Sequence, residues 1–425
     1  MRRLIRLVAL ALLIIAAAVV LWPAPEDRGR SQLFTDSTYS FEAVRVLNDV
    51  AAAGGDSEET LRTVASIKAG DADAWYRAWS ATADRTRAWA KRTLDRQARG
   101  EALLRAHTYY RAAEFFLAPE DARRPGVFKQ NTEAFYEGLD TLGVTHERIA
   151  VPYGSHHLNA VYYPGPPGSE SRPLLMVVGG YDSTLEELYL SIAAAAVQHG
   201  YSVLTYEGPG QGSVLRDQSL HMQADWEKPN GAVLDQFLSA HAKPKKIVLL
   251  GESLGGYLAP RAAAFEPRID GVVAFDVWFD GYAIATRRVA PIAFWLRAHG
   301  YNKLLTYLAS KTTDPGARWA QQNGEWVFGV SDPFAVLDAF KAYRLGPVAD
   351  RITQDVLLLA GADDHFVPFD QLEPERQSLT HARSVTAIAF DRDSGGALHC
   401  QIGAPSLWQA TLFDWMQAKF GSGGS

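Results

Sequence analysis

Ile247-Val248-Leu249-Leu250 runs without a break into Gly251-Glu252-Ser253-Leu254-Gly255-Gly256. An apolar run closed by glycines around a serine reads as a buried strand, a tight turn and the start of a helix. Similar runs recur along the chain, at Leu174 to Val178, Ser202 to Tyr206, Gly271 to Phe275, Val356 to Ala360 and Val385 to Phe390, with helical stretches between them. Strands that are apolar nearly throughout, and alternate with helices, require a mostly parallel sheet covered on both faces. Arg148 to Pro152 and Leu158 to Tyr163 add two strands around the turn Tyr153-Gly154-Ser155.

The chain has 425 residues, more than one hydrophobic core usually supports, so an accessory part is expected beside the sheet. Residues 31–142 supply it: Trp75, Trp79, Ala83 and Trp89 recur at helical spacing, with no strand-like alternation. The sheet domain occupies 143–420, interrupted at about 278–347 by an aromatic-rich insertion with Trp295, Trp319 and Trp326, read as helping to cap the site. Residues 421–425 are a Gly/Ser tail. At the other end, Arg2, Arg3 and Arg6 precede an uncharged apolar run from Leu7 to Trp22. Residues 1–30 therefore read as an uncleaved membrane anchor in preference to a cleaved signal peptide, with the rest of the chain extracytoplasmic. A net charge of −6 gives no reason to expect nucleic-acid binding, and the single cysteine, Cys400, excludes an intrachain disulfide and fits no zinc pattern. No metal or organic cofactor is called for, and oligomeric state is left open.

The turn around Ser253 carries the chemistry. A serine hydroxyl is a poor nucleophile and must stand clear of its backbone, on a bend that only small neighbours permit. The helix behind it favours negative charge nearby. The pattern resembles the nucleophile turn of α/β-hydrolases, which implies that fold and an order of serine, acid, histidine. After the strand at 356–360, Gly361-Ala362-Asp363-Asp364-His365-Phe366-Val367-Pro368 resembles the acid-bearing turn of such enzymes; its register selects Asp364, with Asp363 the alternative. His399 lies in the loop after the final strand and is the expected general base. The oxyanion hole is expected from the backbone N–H groups of Leu254 and of Tyr181, in the loop Gly179-Gly180-Tyr181.

A narrower resemblance rests on an ordered set: Gly179-Gly180-Tyr181-Asp182-Ser183-Thr184 with Glu186-Glu187, Glu207-Gly208-Pro209-Gly210-Gln211-Gly212, Gly251 to Gly256, and His399-Cys400. Together these resemble the 2,6-dihydropseudooxynicotine hydrolase group, which includes fungal polyketide-shortening hydrolases and bacterial esterase-like relatives. The resemblance implies an N-terminal helical cap and cleavage of an ester or a ketone-activated carbon–carbon bond, and the aromatic content of the helical region and the insertion suggests a small, apolar or aromatic substrate. It also implies a catalytic role for Asp182, where the group's nicotine-pathway enzyme carries a longer acidic side chain. The other reading of Asp182 is a cap for the helix beginning near Thr184. Two further functions fit the same fold: a membrane-tethered ligand-binding protein and a serine peptidase. The helical N-terminus, where such peptidases carry a propeller, weighs against the latter.

Overall fold

The computed structural model describes residues 33–421. The expected membrane segment and the last four residues lie outside these; among the described residues no helix is long and apolar enough to cross a membrane.

Eight strands form one sheet in the order β1-β2-β4-β3-β5-β6-β7-β8: Glu147–Tyr153, His156–Tyr163, Leu174–Val178, Val203–Glu207, Ile247–Glu252, Gly271–Phe275, Asp355–Gly361 and Ser384–Phe390 for β1 to β8. β1 and β2 pair antiparallel, as do β2 and β4; all pairings from β4 through β8 are parallel. The apolar runs fall on β3 to β8 to within a residue or two of their expected ends. Side chains alternate between two buried layers. Leu174, Met176 and Val178 of β3 face one layer with Trp226, Leu234 and Tyr257; Leu175 and Val177 face the other with Ile192, Trp408 and Leu412. Burial on both faces is why these strands show no polar alternation.

The helical unit comprises α1 (Ser37–Asn48), α2 (Ser57–Ala65), α3 (Ala72–Ala90), α4 (Arg96–Glu114) and α5 (Arg124–Leu142). Asp36, Asp56, Asp71 and Asp95 cap α1 to α4, each accepting backbone N–H groups of the first turn. α5 ends at Gly143, whose φ of 75° turns the chain into β1. Trp75, Trp79 and Ala83 are fully buried in this unit's own core with Tyr39 and Tyr109. Trp89 departs from the expected stripe and is 43% exposed. From Ala83 the buried face continues through Thr86 and Ala90, which follow the 3.6-residue period that Trp89 misses. Arg105 lies over its ring instead. Leu104, Phe135 and Leu139 pack α4 and α5 against the sheet's second layer. Between β6 and β7, helices at Gly281–Thr286, Pro291–Ala298, Asn302–Ala309, Pro315–Phe328 and Pro333–Ala339 form the insertion.

Replacing Trp75 with alanine removes a fully buried indole and its 2.6 Å hydrogen bond to the Ala112 carbonyl. Urea unfolding should show a loss of about 3–5 kcal/mol.

Candidate active site

The parallel strands end in step. Gly251 lies opposite Val178 and Ala274, and Glu252 opposite Phe275, so the chain leaves β3, β5 and β6 along one edge. The C-terminal edge of an open α/β sheet is where such folds bind ligands. Ser253 follows β5 with a φ of 59°, a left-handed conformation that is uncommon for a side-chain-bearing residue. Its N–H donates to the Phe275 carbonyl at 2.5 Å, and its own carbonyl accepts from Gly256 N–H at 2.8 Å. The turn is thus tied to β6 in front and to its own helix, Gly255–Ala263, behind.

The loop after β3 runs against this turn. A Cβ on Gly180 would lie 2.8 Å from Ser253 Cβ and 2.9 Å from both the Glu252 carbonyl oxygen and the Leu254 nitrogen. Only glycine fits there. Gln211, fully buried, braces the loop: Nε2 donates to the carbonyls of Gly179 (2.7 Å) and Gly180 (3.0 Å), while Oε1 accepts from Gly208 N–H at 3.0 Å. Tyr181 and Leu254, the expected oxyanion donors, therefore sit on two loops that meet at Gly180, and Gln211 ties the first of these to the loop after β4.

His399 Nε2 lies 2.9 Å from Ser253 Oγ, and Nδ1 lies 2.6 Å from Asp364 Oδ2. The other oxygen of Asp364 accepts from the N–H groups of Phe366 (2.7 Å) and Val367 (2.8 Å), which fixes the carboxyl plane. Asp363 points elsewhere, pairing with Arg392. Ser253, His399 and Asp364 come together; Asp363 does not join them.

A second carboxylate, Asp276, follows β6 and was not anticipated. Its Oδ2 lies 2.9 Å from His399 Nδ1 and accepts Cys400 N–H at 2.8 Å, while Oδ1 takes a longer bond from Gln401 Nε2. Cys400 and Gln401 adopt φ of 47° and 43°, a tight turn that aims the Cys400 N–H at Asp276. The available signal was that Asp276 is the first polar residue after an all-apolar strand, as Asp363-Asp364 follow β7. Burial pushes Asp364 up to about 7, with the neighbouring Asp276 opposing the pull of His399. Burial also acts to raise Asp276, but the bonds from His399 and its other donors hold it below the usual carboxylate range. Burial works against a charged His399, yet the facing Asp364 raises its pKa well above 6.5. Burial pushes the Cys400 thiol up to about 12, so it stays protonated at neutral pH.

Asp182 does not cap a helix: the helix starting at Leu185 has Thr184 at its cap, without a side-chain bond. The Asp182 carboxylate instead accepts from Arg45 Nη1 at 2.7 Å. Arg45, on α1, also grips Glu187 with Nε and Nη2, both at 2.7 Å. α1 further carries Phe41, whose ring centroid is 6.2 Å from that of His399. The helical unit thus reaches the site through α1. Beside it a cavity of about 30 Å³, lined by Arg111, Tyr181, Asp182, Thr184, Trp319 and Trp326, lies between α4, the insertion and the loop after β3.

Residues 174–395 match the sequence pattern of the alpha/beta hydrolase family. The chain belongs to the α/β-hydrolase family. This hydrolase is 33% identical over 420 residues to the hydrolase acrC of Aspergillus aculeatus, covering 92% of the present chain and 98% of that protein. It is 32% identical over 414 residues to the 20-hydroxy-prefusarin hydrolase FUS2 of Gibberella moniliformis, with the same coverage of 92% and 98%. In fold it is similar to the crystal structure of 2,6-dihydroxy-pseudo-oxynicotine hydrolase, with a TM-score of 0.67, 21% identity and coverage of 88% and 94%. AbyA5 is similar at a TM-score of 0.63, also with 21% identity, covering 88% and 93%. Both structural likenesses take in the helical unit as well as the sheet.

Replacing Gly180 with alanine should push the loop off the Ser253 turn. The rate of fluorophosphonate labelling is expected to fall by about a hundredfold, the scale of losing one oxyanion donor, while circular dichroism shows the fold retained.

Proposed function

We propose that this enzyme cleaves an ester, or a ketone-activated carbon–carbon bond, of a small apolar or aromatic substrate through a covalent acyl-enzyme on Ser253. The observation that carries the reading is the pair of distances at His399, 2.9 Å to Ser253 Oγ and 2.6 Å to Asp364. In this scheme His399 Nε2 takes the Ser253 proton as Oγ attacks the scissile carbonyl. The oxyanion is held by the N–H groups of Tyr181 and Leu254. The carbonyl re-forms as the leaving group departs with the proton from His399. Water, deprotonated in turn by His399, then releases the acid and restores Ser253. Asp364 fixes the imidazole tautomer and stabilises the imidazolium, and Asp276, on the same nitrogen, supports it.

Asp182 is the candidate proton donor for a departing carbanion if the bond cleaved is carbon–carbon. Its engagement as an acceptor by Arg45 favours the ester reading. We also propose, from the basic and apolar residues 2–22, that the enzyme is membrane-tethered with its catalytic part on the extracytoplasmic side.

Fluorophosphonate should label the full chain at Ser253, located by mass spectrometry, and His399→Ala should abolish the labelling. Folded protein that resists a small probe would turn the reading toward a ligand-binding role. His399 accepts a proton only when neutral, so the raised pKa places the acid limb of the labelling rate above pH 6.5. Asp276→Asn, which removes a negative charge from Nδ1, should move that limb to lower pH.

Simple aryl esters and β-diketones compared in wild type and Asp182→Asn separate the two bond types. A proton-donor role predicts a loss of about 10²-fold or more on the diketone, beyond any loss on the ester. Equal losses on both would leave Asp182 a positioning role only.

A further inference from the structure

Arg111, on the last turn of α4, is 6% exposed and lies in the wall of the cavity beside Tyr181 and Asp182. Its Nη1 lies 3.4 Å from Glu187 Oε1. Nε and Nη2 are buried with no hydrogen-bond partner among the described residues. These two atoms form the edge with which a guanidinium grips a planar anion through two parallel bonds. At several other arginines of this protein that edge is closed on a carboxylate. Arg45 holds Glu187 at 2.7 and 2.7 Å, Arg261 holds Glu227 at 2.8 and 2.8 Å, and Arg376 holds Glu373 at 2.7 and 2.6 Å. Arg111 presents the same fork unfilled. The charge is paired with Glu187 through Nη1, but two buried N–H groups left without acceptors are costly, so an oxygen pair entering here would be favoured.

A second orphan stands in the same wall. Thr184 Oγ1 is buried and has no hydrogen-bond partner among the described residues, and Thr184 follows Tyr181 by three residues. The surrounding acids do not compete for the Arg111 fork. Glu114 is engaged by both Arg124 and Arg216, and Asp182 and Glu187 by Arg45. Burial pushes Glu42 and Asp49 up to about 7, so they are partly uncharged near neutrality and counter the nearby guanidinium groups less than their number suggests. Trp319, stacked on Phe115 at 4.7 Å between ring centroids, gives the cavity an aromatic wall.

We propose that Arg111, assisted by the Thr184 hydroxyl, is a recognition site for a carboxylate carried by the substrate, so that this hydrolase acts on acidic acyl compounds with an apolar or aromatic body. The proposal rests on the hydrolase reading of Ser253, because it assigns the anion to the molecule whose carbonyl reaches that serine. The cavity of about 30 Å³ has room for a carboxylate head or for ordered water, and the two occupants predict different binding.

Calorimetry on full-length Ser253→Ala protein would compare phenylbutyrate with its primary amide, and the unmodified enzyme would be assayed on nitrophenyl butyrate and the nitrophenyl monoester of glutaric acid. A bidentate charge-assisted contact should favour the carboxylate member of each pair by about tenfold or more. Arg111→Gln should collapse that preference to near one, and Arg111→Lys, which keeps the charge without the fork, should retain only part of it. Equal affinity for acid and amide in the Ser253→Ala protein would overturn the proposal, and so would a preference that survives Arg111→Gln. If Arg111→Gln does not fold, the acid–amide comparison with Arg111 intact still decides. The two readings fail separately. A carboxylate preference in a protein that fluorophosphonate does not label would keep the subsite and discard the hydrolytic scheme. Labelling at Ser253 without a carboxylate preference would do the reverse.

Discussion

Ser253 is held at a positive φ by the backbone around it, and most of the site depends on how that turn is pinned. The Phe275 carbonyl takes its N–H, and the Gly256 N–H takes its carbonyl. The helix that follows β5 lies so close to the end of β6 that a Cβ on Gly256 would run into the Asp276 carbonyl. Gly180 completes the arrangement by letting the β3 loop touch the turn from the other side. Three strand ends are therefore locked within van der Waals contact before any catalytic side chain is considered. A strained turn persists only where its surroundings over-determine it, and here backbone bonds and glycine contacts do so.

His399 inherits its position from this frame. It faces Ser253 on one nitrogen and two buried carboxylates on the other. Burial pushes Asp364 up, with the neighbouring Asp276 adding to it, while the bonds Asp276 receives outweigh its own burial and hold it down. A pair of this kind keeps a negative charge opposite the imidazolium. It also ties the ends of β6 and β7 to the loop after β8.

The contact between the helical unit and the sheet domain is aromatic at Phe41, beside His399, and polar at the loop after β3. Arg45 of α1 joins Glu187 and Asp182, and Arg124 of α5 and Arg216 of the sheet domain meet on Glu114 of α4. Ion pairs buried in this way contribute less to stability than apolar packing of equal volume, but they specify geometry. The helical unit is anchored to the loop that carries Tyr181, so the cavity beside the site and the expected oxyanion donor are positioned by one network. Arg111 belongs to that network and yet keeps an open edge.

Local pattern was enough to place the strands, the Ser253 turn, Asp364 over Asp363, and His399, because each is written in a short stretch: an apolar run of strand length, glycines that license a bend, a polar residue where a strand ends. The helical unit was equally legible, except where Trp89 left the buried face of α3. Asp276, Gln211, Arg45 and Arg111 were not. Asp276 sits alone after its strand and gains meaning only when β6 lies between β5 and β7. Gln211 was visible as part of a motif, but its bonds to the Gly179 and Gly180 carbonyls require β4 beside β3. Arg45 and Arg111 are ordinary helix arginines until α1 and α4 are laid against the β3 loop. The sequence by itself determined the elements and the bend at Ser253, since both follow from hydrophobic period and backbone freedom over a few residues. Tertiary structure alone decided which charges meet, because residues as distant as Arg45 and Asp182 come within hydrogen-bonding distance only when the chain closes on itself.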